Sequence, residues 1–296
     1  MPLTPAKCTE CGVFVEVDNE KRAGLCQHCN QPFVIEDAIQ AFSDHYNISI
    51  IPNSNDVDTE SALKTDHLEN RYTTNGIYQQ QDVVIEDGVL KKFERDSEYV
   101  VIPNTVKHID SFAFDCCTCL VSVSIPDSVV TIGSCVFESC ENLISINVDE
   151  NNPQYLSVDG VLFNKDKTTL IQYPAGKTNE EYTIPDGVTS IGEGAFYECK
   201  NLKYINIPST VKGIECCAFK GCTNLTSITI PESITIIEHC VFQGCTSLTS
   251  ISIPDSVICI GDEAFYECSN LETVNISMDL FLKSKDAFPE NFIEGL

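Results

Sequence analysis

This 296-residue chain contains a sequence repeat of 23 residues. Prolines recur with nearly constant spacing at Pro103, Pro126, Pro185, Pro208, Pro231 and Pro254. Four of the five intervals are 23 residues, and the fifth is 59, which equals one repeat plus a long one of 36. A unit this short cannot enclose a core of its own, so neighbouring units must stack and share one. The repeat therefore predicts a solenoid.

Aligning the repeats on these prolines brings further apolar positions into register. A phenylalanine follows eleven residues later, at Phe114, Phe137, Phe196, Phe219, Phe242 and Phe265. A leucine and an Ile/Val-x-Ile/Val strand close the unit, so alternate residues are expected to point inward. Rungs of a parallel sheet lie ~4.8 Å apart, so about eight coils predict a rod near 40 Å long. The phenylalanines are expected to stack as one continuous spine, with a weak end at Phe288.

Ten of the 17 cysteines form two unrelated groups. One group occupies a fixed inward position of the repeat, at Cys117, Cys140, Cys199, Cys222, Cys245 and Cys268. A cysteine at one place in every coil is best interpreted as a small buried hydrophobe. Seven further cysteines of the repeat region fall at scattered offsets within the repeat and are expected to include exposed thiols. They are Cys116, Cys119, Cys135, Cys216, Cys217, Cys240 and Cys259.

The second group predicts a metal site near the start of the chain. Two C-x-x-C pairs separated by fourteen residues suit one tetrahedral Zn²⁺, with the ligands Cys8, Cys11, Cys26 and Cys29. Four thiolates leave no open position, so the predicted zinc is structural. The alternative is a redox dithiol. Together with Gly12, Pro32 and Phe33, the pattern resembles the bacterial zinc ribbon.

These patterns divide the chain into three predicted segments. Residues 1–45 form the zinc ribbon with a short helix, 46–82 a polar linker, and 83–296 the solenoid. Within the solenoid, 83–102 is an N-terminal cap and 277–296 a degenerate C-terminal cap. Residues 150–184 are the long repeat, where alternation around Asp159 and Gly160 predicts a β-hairpin. The run from Asn164 to Thr168 mimics part of a calcium loop, but it is interpreted as a plain turn.

The repeat resembles the bacterial BspA-type (surface-antigen type) leucine-rich repeat, whose motif runs I-P-x-x-V-x-x-I-x-x-x-A-F-x-x-C-x-x-L-x-x-I-x-I-P. The resemblance covers roughly residues 83–288 and includes the combination with a zinc ribbon. It implies a mainly β solenoid, a right-handed superhelix with ~23-residue coils and short helical turns. Family members include adhesins and host-protein binders.

Composition excludes several classes of function. Eighteen Lys and Arg face 44 Asp and Glu, and this net charge of −26 opposes phosphate binding, so no nucleic-acid partner is expected. No apolar run reaches the ~20 residues of a membrane helix, and no signal peptide is recognised, which favours the cytoplasm over a non-classical route to the cell surface. The Gly192–Gly194 turn and the adjacent His239 and Cys240 do not form a catalytic constellation, so no enzyme is predicted.

The outward residues of the closing strands form two predicted columns, here called the polar ledge. Its members are Ser122, Ser124, Ser145, Asn147, Lys203, Tyr204, Asn206, Ser227, Thr229, Ser250, Ser252, Thr273 and Asn275. Two interpretations stay open, a solvated sheet face or a hydrogen-bonding surface for a protein partner. The leading hypothesis is a non-enzymatic protein-binding scaffold with the zinc ribbon as a second contact. The alternatives are a surface-associated adhesin and, third, a zinc-ribbon nucleic-acid regulator.

Overall fold

The computed structural model describes residues 83–94, 97–289 and 292, together with four earlier strands. The backbone divides into two compact units, residues 1–69 and 70–296. In the first unit, antiparallel pairs join β1 (Leu3–Lys7) to β2 (Phe14–Asp18) and β3 (Ala23–Leu25) to β4 (Pro32–Val34). The predicted zinc ligands, the short helix and the polar linker lie outside the described residues.

The second unit is a β solenoid of about eight turns, which confirms the predicted class of fold. Most coils contribute one strand to each of two faces, and each strand pairs in parallel with its copy one coil away. The first face consists of β7 (Tyr99–Val101), β9 (Ser122–Ile125), β11 (Ser145–Val148), β15 (Glu181–Thr183), β17 (Tyr204–Asn206), β19 (Ser227–Ile228), β21 (Ser250–Ser252) and β23 (Thr273–Asn275). These strands form the sheets β7-β9-β11, β15-β17-β19 and β21-β23.

The second face is built from shorter strands and two antiparallel additions. Its strands are β5 (Val83–Glu86), β6 (Val89–Phe93), β8 (His108–Ile109), β10 (Thr131–Ile132), β12 (Tyr155–Val158), β13 (Val161–Asn164), β14 (Thr169–Gln172), β16 (Ser190–Ile191), β18 (Gly213–Ile214), β20 (Ile236–Ile237) and β22 (Cys259–Ile260). β5 pairs antiparallel with β6 at the start of the array, and β12 pairs antiparallel with β13 in the long repeat. At the long repeat β13 also pairs antiparallel with β14, and the parallel ladders of both faces are interrupted. Parallel pairing resumes from β14 to β16 and from β15 to β17.

The repeat residues explain the local shape of each coil. Each repeat proline ends a strand, and its carbonyl accepts a hydrogen bond from the amide three residues later, as in Val211 N to Pro208 O at 3.1 Å. Proline suits this place because its fixed φ favours a turn and its missing N–H ends the ladder. Around the phenylalanine, two residues per coil have positive φ, among them Gly221 and Gly244. Left-handed residues let the chain reverse within six positions.

The phenylalanine spine is present but it is not continuous, contrary to the prediction. Rings stack from Phe93 to Phe137, and again from Tyr173 to Phe288, with centroids 5.1–5.4 Å apart. Among the described residues no ring pair joins Phe137 to Tyr173, and the buried residues fall into two separate clusters at the same place. The physical reason is the insertion of residues 150–172, which separates the coil of Phe137 from the coil of Tyr173.

A cavity of about 180 Å³ lies at this break in the spine. Its lining combines apolar side chains such as Phe137 and Leu162 with the polar groups of Tyr155 and Gln172. The Gln172 amide donates to the carbonyl of Tyr173 at 3.1 Å, so it is held by backbone rather than by another side chain. Hairpin side chains therefore pack less closely here than one regular coil packs on the next.

The C-terminal end is better covered than the sequence suggested. Helix α1 (Met278–Lys283) begins at Ser277, whose hydroxyl accepts from the amide of Leu280, and a 3₁₀ turn follows at Lys285–Ala287. The prediction that Phe288 has a neighbour on one side only is wrong. Its ring contacts Phe265 on one side, and Phe281 and Phe292 on the other, at 5.1–5.7 Å. The terminal ring is therefore buried within its own cap.

The repeat cysteines are all buried, as predicted, but they also act as hydrogen-bond donors. The Cys222 thiol donates to the carbonyl oxygen of Phe196 at 3.1 Å, and Cys245 donates to Phe219 at 3.2 Å. The same contact to the preceding coil recurs at Cys140, Cys199 and Cys268. Cysteine thus supplies a donor that a purely apolar side chain would lack. Burial raises the pKa of Cys222 to about 12, so the thiol stays protonated at neutral pH.

We expect the repeat thiols to resist alkylation until the solenoid unfolds. The matched pair lies in one coil, since Cys259 is exposed and Cys268 is fully buried. Native protein treated with iodoacetamide should carry label at Cys116, Cys119 and Cys259, while Cys268 gains label only in denaturant. Peptide mass spectrometry measures both sites in one digest. Equal native labelling of Cys259 and Cys268 would contradict the buried cysteine ladder.

Candidate protein-binding face

The polar ledge lies on the first face, where strand alternation separates the core from solvent. In β17, Ile205 is buried while Tyr204 and Asn206 on either side of it are exposed. β19 pairs with β17 in register, so Ser227 lies beside Tyr204. The same alternation in β21 and β23 exposes Ser250, Ser252, Thr273 and Asn275. Side chains of a parallel sheet repeat at each rung, so the ledge forms two straight columns.

The structure exposes only part of the predicted ledge. Its exposed members are Tyr204, Asn206, Ser227, Thr229, Ser250, Ser252, Thr273 and Asn275, while Lys203, Ser145 and Asn147 are half-buried. The expectation that the ledge faces solvent is wrong for Ser122 and Ser124, which are 5% and 7% exposed. The candidate surface therefore runs over the C-terminal coils, from β15 to β23.

Hydrogen bonds show how the first coils satisfy their polar side chains without solvent. The hydroxyl of Ser124 lies 3.2 Å from that of Tyr99, and the amide of Asn147 donates to the hydroxyl of Ser122 at 3.0 Å. The long repeat also packs along β11, where the amide of Val148 donates to the hydroxyl of Ser157 at 3.2 Å. These groups are bonded to one another, so they have little capacity left for a partner.

Sequence reasoning missed two members of the ledge in the long repeat. Glu181 and Thr183 are exposed, and they pair directly with Tyr204 and Asn206 across β15 and β17. Glu181 lies three positions and Thr183 one position before Ile184, the residue that precedes the repeat proline Pro185. That spacing identifies them as ledge positions. Tyr182 between them breaks the expected Ile-x-Ile, which concealed the strand.

Tyr204 is the most prominent side chain of the exposed ledge. Its ring is 47% exposed, and the strand on each side holds its backbone in the ladder. Beside it, the Lys203 ammonium forms an ion pair with the Glu180 carboxylate at 2.7 Å. The hydrogen bond that the ammonium donates to Glu180 raises the pKa of Lys203, so this group stays charged. Tyr204 and the ion pair give the ledge an aromatic ring beside two opposite charges.

The described residues meet the requirements of neither a metal site nor a membrane-spanning helix. No group of three His, Cys, Asp or Glu side chains is placed to hold a metal ion within residues 83–94 and 97–289. In the same part of the chain, no helix has both the length and the apolar character needed to cross a membrane. The Asn164 turn is held by its own side chain, which accepts from the Thr169 amide at 2.8 Å. Its contacts are those of a plain turn.

Two-strand coils, an aromatic spine and inward-pointing Leu and Ile residues define a leucine-rich-repeat solenoid. The chain belongs to the BspA type leucine rich repeat family, since the family model matches six copies over residues 84–179 and 175–293. No curated protein matches the chain.

Two solved structures share this architecture. The pneumococcal vaccine antigen PcpA is 28% identical with a TM-score of 0.55, and the alignment covers 60% of this chain and 50% of PcpA. A leucine rich cell surface protein from Faecalibacterium prausnitzii is 31% identical with a TM-score of 0.50, covering 61% of this chain and 54% of that protein. The chain therefore spans about half the length of these relatives.

Proposed function

We propose that this protein is a non-enzymatic scaffold that binds another protein through the exposed polar ledge. The observation that carries the proposal is the row of exposed polar side chains from β15 to β23, on two successive parallel sheets. The columns repeat at the coil spacing, so the surface offers hydrogen-bonding groups at regular intervals to an elongated partner. The family supports a repeat scaffold that binds proteins.

Tyr204 is the proposed anchor of this interface. Tyrosine is enriched at interface positions that dominate binding, because its ring buries large area at low entropic cost and its hydroxyl still bonds. The neighbouring Lys203–Glu180 pair fixes charges of both signs beside the ring. Serine, threonine and asparagine around it would then supply complementarity rather than most of the binding energy.

Tyr204→Ala is expected to weaken binding of the partner ~10- to 30-fold, which corresponds to about 2 kcal/mol at an interface anchor. The partner is first captured by cross-linking and identified, and its affinity is then measured by calorimetry with purified components. Tyr266→Ala is the matched control, because that ring is 44% exposed but lies off the ledge. Equal weakening by both variants, or by neither, would argue against the ledge as the docking surface.

A second candidate is the same binding activity carried out at the cell surface. The observation that favours it is the 31% identity to a leucine rich cell surface protein. Protease treatment of intact source cells tests it, with lysed cells as the control. Cleavage of the chain in intact cells supports a surface-associated binder of host proteins, whereas protection supports a scaffold inside the cell.

We further propose that Cys8, Cys11, Cys26 and Cys29 hold one structural Zn²⁺ and that this ribbon is a second contact for the partner. The paired spacing of the cysteines supports the proposal. Thiolate ligands suit zinc, and in so short a segment the metal would provide much of the folding free energy.

Metal analysis of zinc-replete protein is expected to find one zinc per chain. Cys26→Ser should lose most of that zinc because the serine hydroxyl is a poor ligand in a site of four thiolates. Cys119→Ser should keep it, since Cys119 is an exposed cysteine of the solenoid. Full zinc occupancy in Cys26→Ser, or a zinc-free parent protein, would contradict the site.

A further inference from the structure

Cysteines occur at an unusual backbone position on the surface of the solenoid. The position lies two residues before the repeat phenylalanine, and Cys135, Cys217 and Cys240 occupy it with φ values of 51°, 58° and 56°. This left-handed region disfavours side chains with a Cβ, and another coil places Gly194 there instead. Strained backbone positions cluster at functional sites, so a reactive residue type at such a position is a candidate for chemistry.

Cys217 and Cys240 occupy the same position in neighbouring coils. The amide of Cys217 donates to the carbonyl of His239 at 3.1 Å, so the two coils are hydrogen-bonded at this point. Two residues further on, the rings of Phe219 and Phe242 lie 5.4 Å apart at an interplanar angle of 4°. The coils therefore run parallel here, and the ~4.8 Å spacing of parallel rungs falls within the ~4.4–6.8 Å between Cα atoms that a disulfide spans.

The thiols of Cys217 and Cys240 are also placed to form a disulfide with each other. Each thiol contacts the other, and both are only half-buried. The pair Cys222 and Cys245 also lies in neighbouring coils, but both thiols are fully buried and donate to backbone carbonyls. The Cys240 thiol donates to the Glu263 carboxylate at 3.8 Å, at a place that solvent reaches. Within the described coils, Cys217 and Cys240 are the matched pair of neighbouring cysteines that solvent reaches.

We propose that Cys217 and Cys240 form a disulfide between neighbouring coils by exchange with a small-molecule disulfide. In the first step, the sulfur of Cys240 attacks the reagent disulfide, its S–S bond breaks, and one reagent thiolate leaves and takes up a proton. In the second step, Cys217 attacks the Cys240 sulfur of the mixed disulfide and releases the second reagent thiol. Two protein thiols are oxidised and one reagent disulfide is reduced to two thiols, so atoms and electrons balance.

Cys240 is the thiol that attacks first, because its pKa is raised less than that of Cys217. Burial and Glu263 raise the pKa of Cys240, whereas Lys220 and the contact with the Cys217 thiol oppose that rise. For Cys217, burial and the neighbouring Cys240 raise the pKa to about 11, although Lys220 opposes this too. The thiolate is the nucleophile in exchange, so the thiol that ionises more readily leads, and a mildly alkaline buffer favours the step.

The proposal is tested by incubating the full chain with hydroxyethyl disulfide in mildly alkaline buffer. The remaining free thiols are then alkylated. Cleavage after glutamate and phenylalanine releases fragments 216–219 and 239–242, which are expected to be found joined by mass spectrometry. Cys217→Ala should abolish the joined fragment, and Cys216→Ala, the matched control beside it, should retain it. The oxidised parent should melt at a higher temperature than the reduced one, because a cross-link restricts the unfolded chain.

Three results would overturn the proposal. The first is a mixed disulfide with the reagent as the final product at Cys240. The second is a joined fragment that survives Cys217→Ala and disappears in Cys216→Ala. The third is a link between two chains, which a non-reducing gel detects as a dimer. If Cys217→Ala loses the β signal in circular dichroism, Cys240→Ser replaces it, with loss of the joined fragment again expected.

Discussion

Phe219→Ala is expected to destabilise the solenoid by about 3–5 kcal/mol, a large share of the ~5–15 kcal/mol that stabilises a typical domain. The ring is fully buried and stacks on Phe196 at 5.1 Å and on Phe242 at 5.4 Å. Removing it leaves a cavity between three coils, and the regular backbone cannot collapse to fill it. Urea unfolding followed by the β signal in circular dichroism measures the loss.

Two controls make this result specific to the spine. Phe112→Ala should change stability by less than ~0.5 kcal/mol, because its ring is 51% exposed. Phe288→Ala should also be costly, since Phe265, Phe281 and Phe292 enclose that ring. A Phe219→Ala variant as stable as Phe112→Ala would refute a packed aromatic spine. A harmless Phe288→Ala would instead show that the terminal cap frays.

Asn152→Ala is expected to cost about 3 kcal/mol or more, the second large effect in the molecule. The side chain is fully buried where the long repeat leaves the stack. Its amide donates to the carbonyls of Pro126 at 2.7 Å and Val129 at 3.0 Å, and its oxygen accepts from the amides of Gln154 and Tyr155 at 2.9 and 2.8 Å. Alanine would remove a hydrogen bond from four backbone groups, of which the Pro126 carbonyl keeps the Val129 amide as a donor at 3.3 Å. Each group left without a partner costs ~1–3 kcal/mol where water cannot reach it.

Asn142→Ala is the matched control for Asn152. The Asn142 amide donates only to the carbonyl of Thr118, at 2.7 Å, and the side chain is exposed, so water replaces the lost bond. We expect a cost below ~1 kcal/mol in the same urea titration. Similar losses for the two variants would show that Asn152 does not hold the long repeat in place.

Much of the fold was predictable because a solenoid is built from local contacts. Each coil packs only on its neighbours, so the residue pattern of one unit predicts the environment of every copy. Inward Leu and Ile residues, buried cysteines such as Cys222 and the exposed Tyr204 all follow from that pattern. The long interval before Pro185 also indicated where the regular stack changes.

Contacts that do not follow the repeat pattern could be determined only from the tertiary structure. The break between Phe137 and Tyr173 and the enclosure of Phe288 depend on how an irregular segment packs against a regular coil. The irregular segments do not repeat, so no period in the sequence describes their neighbours. Ser122 and Ser124 instead bond to Asn147 and Tyr99 of the neighbouring coils.

The register between coils decided the chemistry of the cysteines. The thiol of Cys222 meets a carbonyl 26 residues earlier, whereas Cys217 meets the thiol of Cys240 in the next coil. In the sequence, both appear as cysteines in one repeat, five residues apart. Their reactivity differs because burial and hydrogen-bond partners come from the neighbouring coil, and only the stacked structure brings that coil into contact.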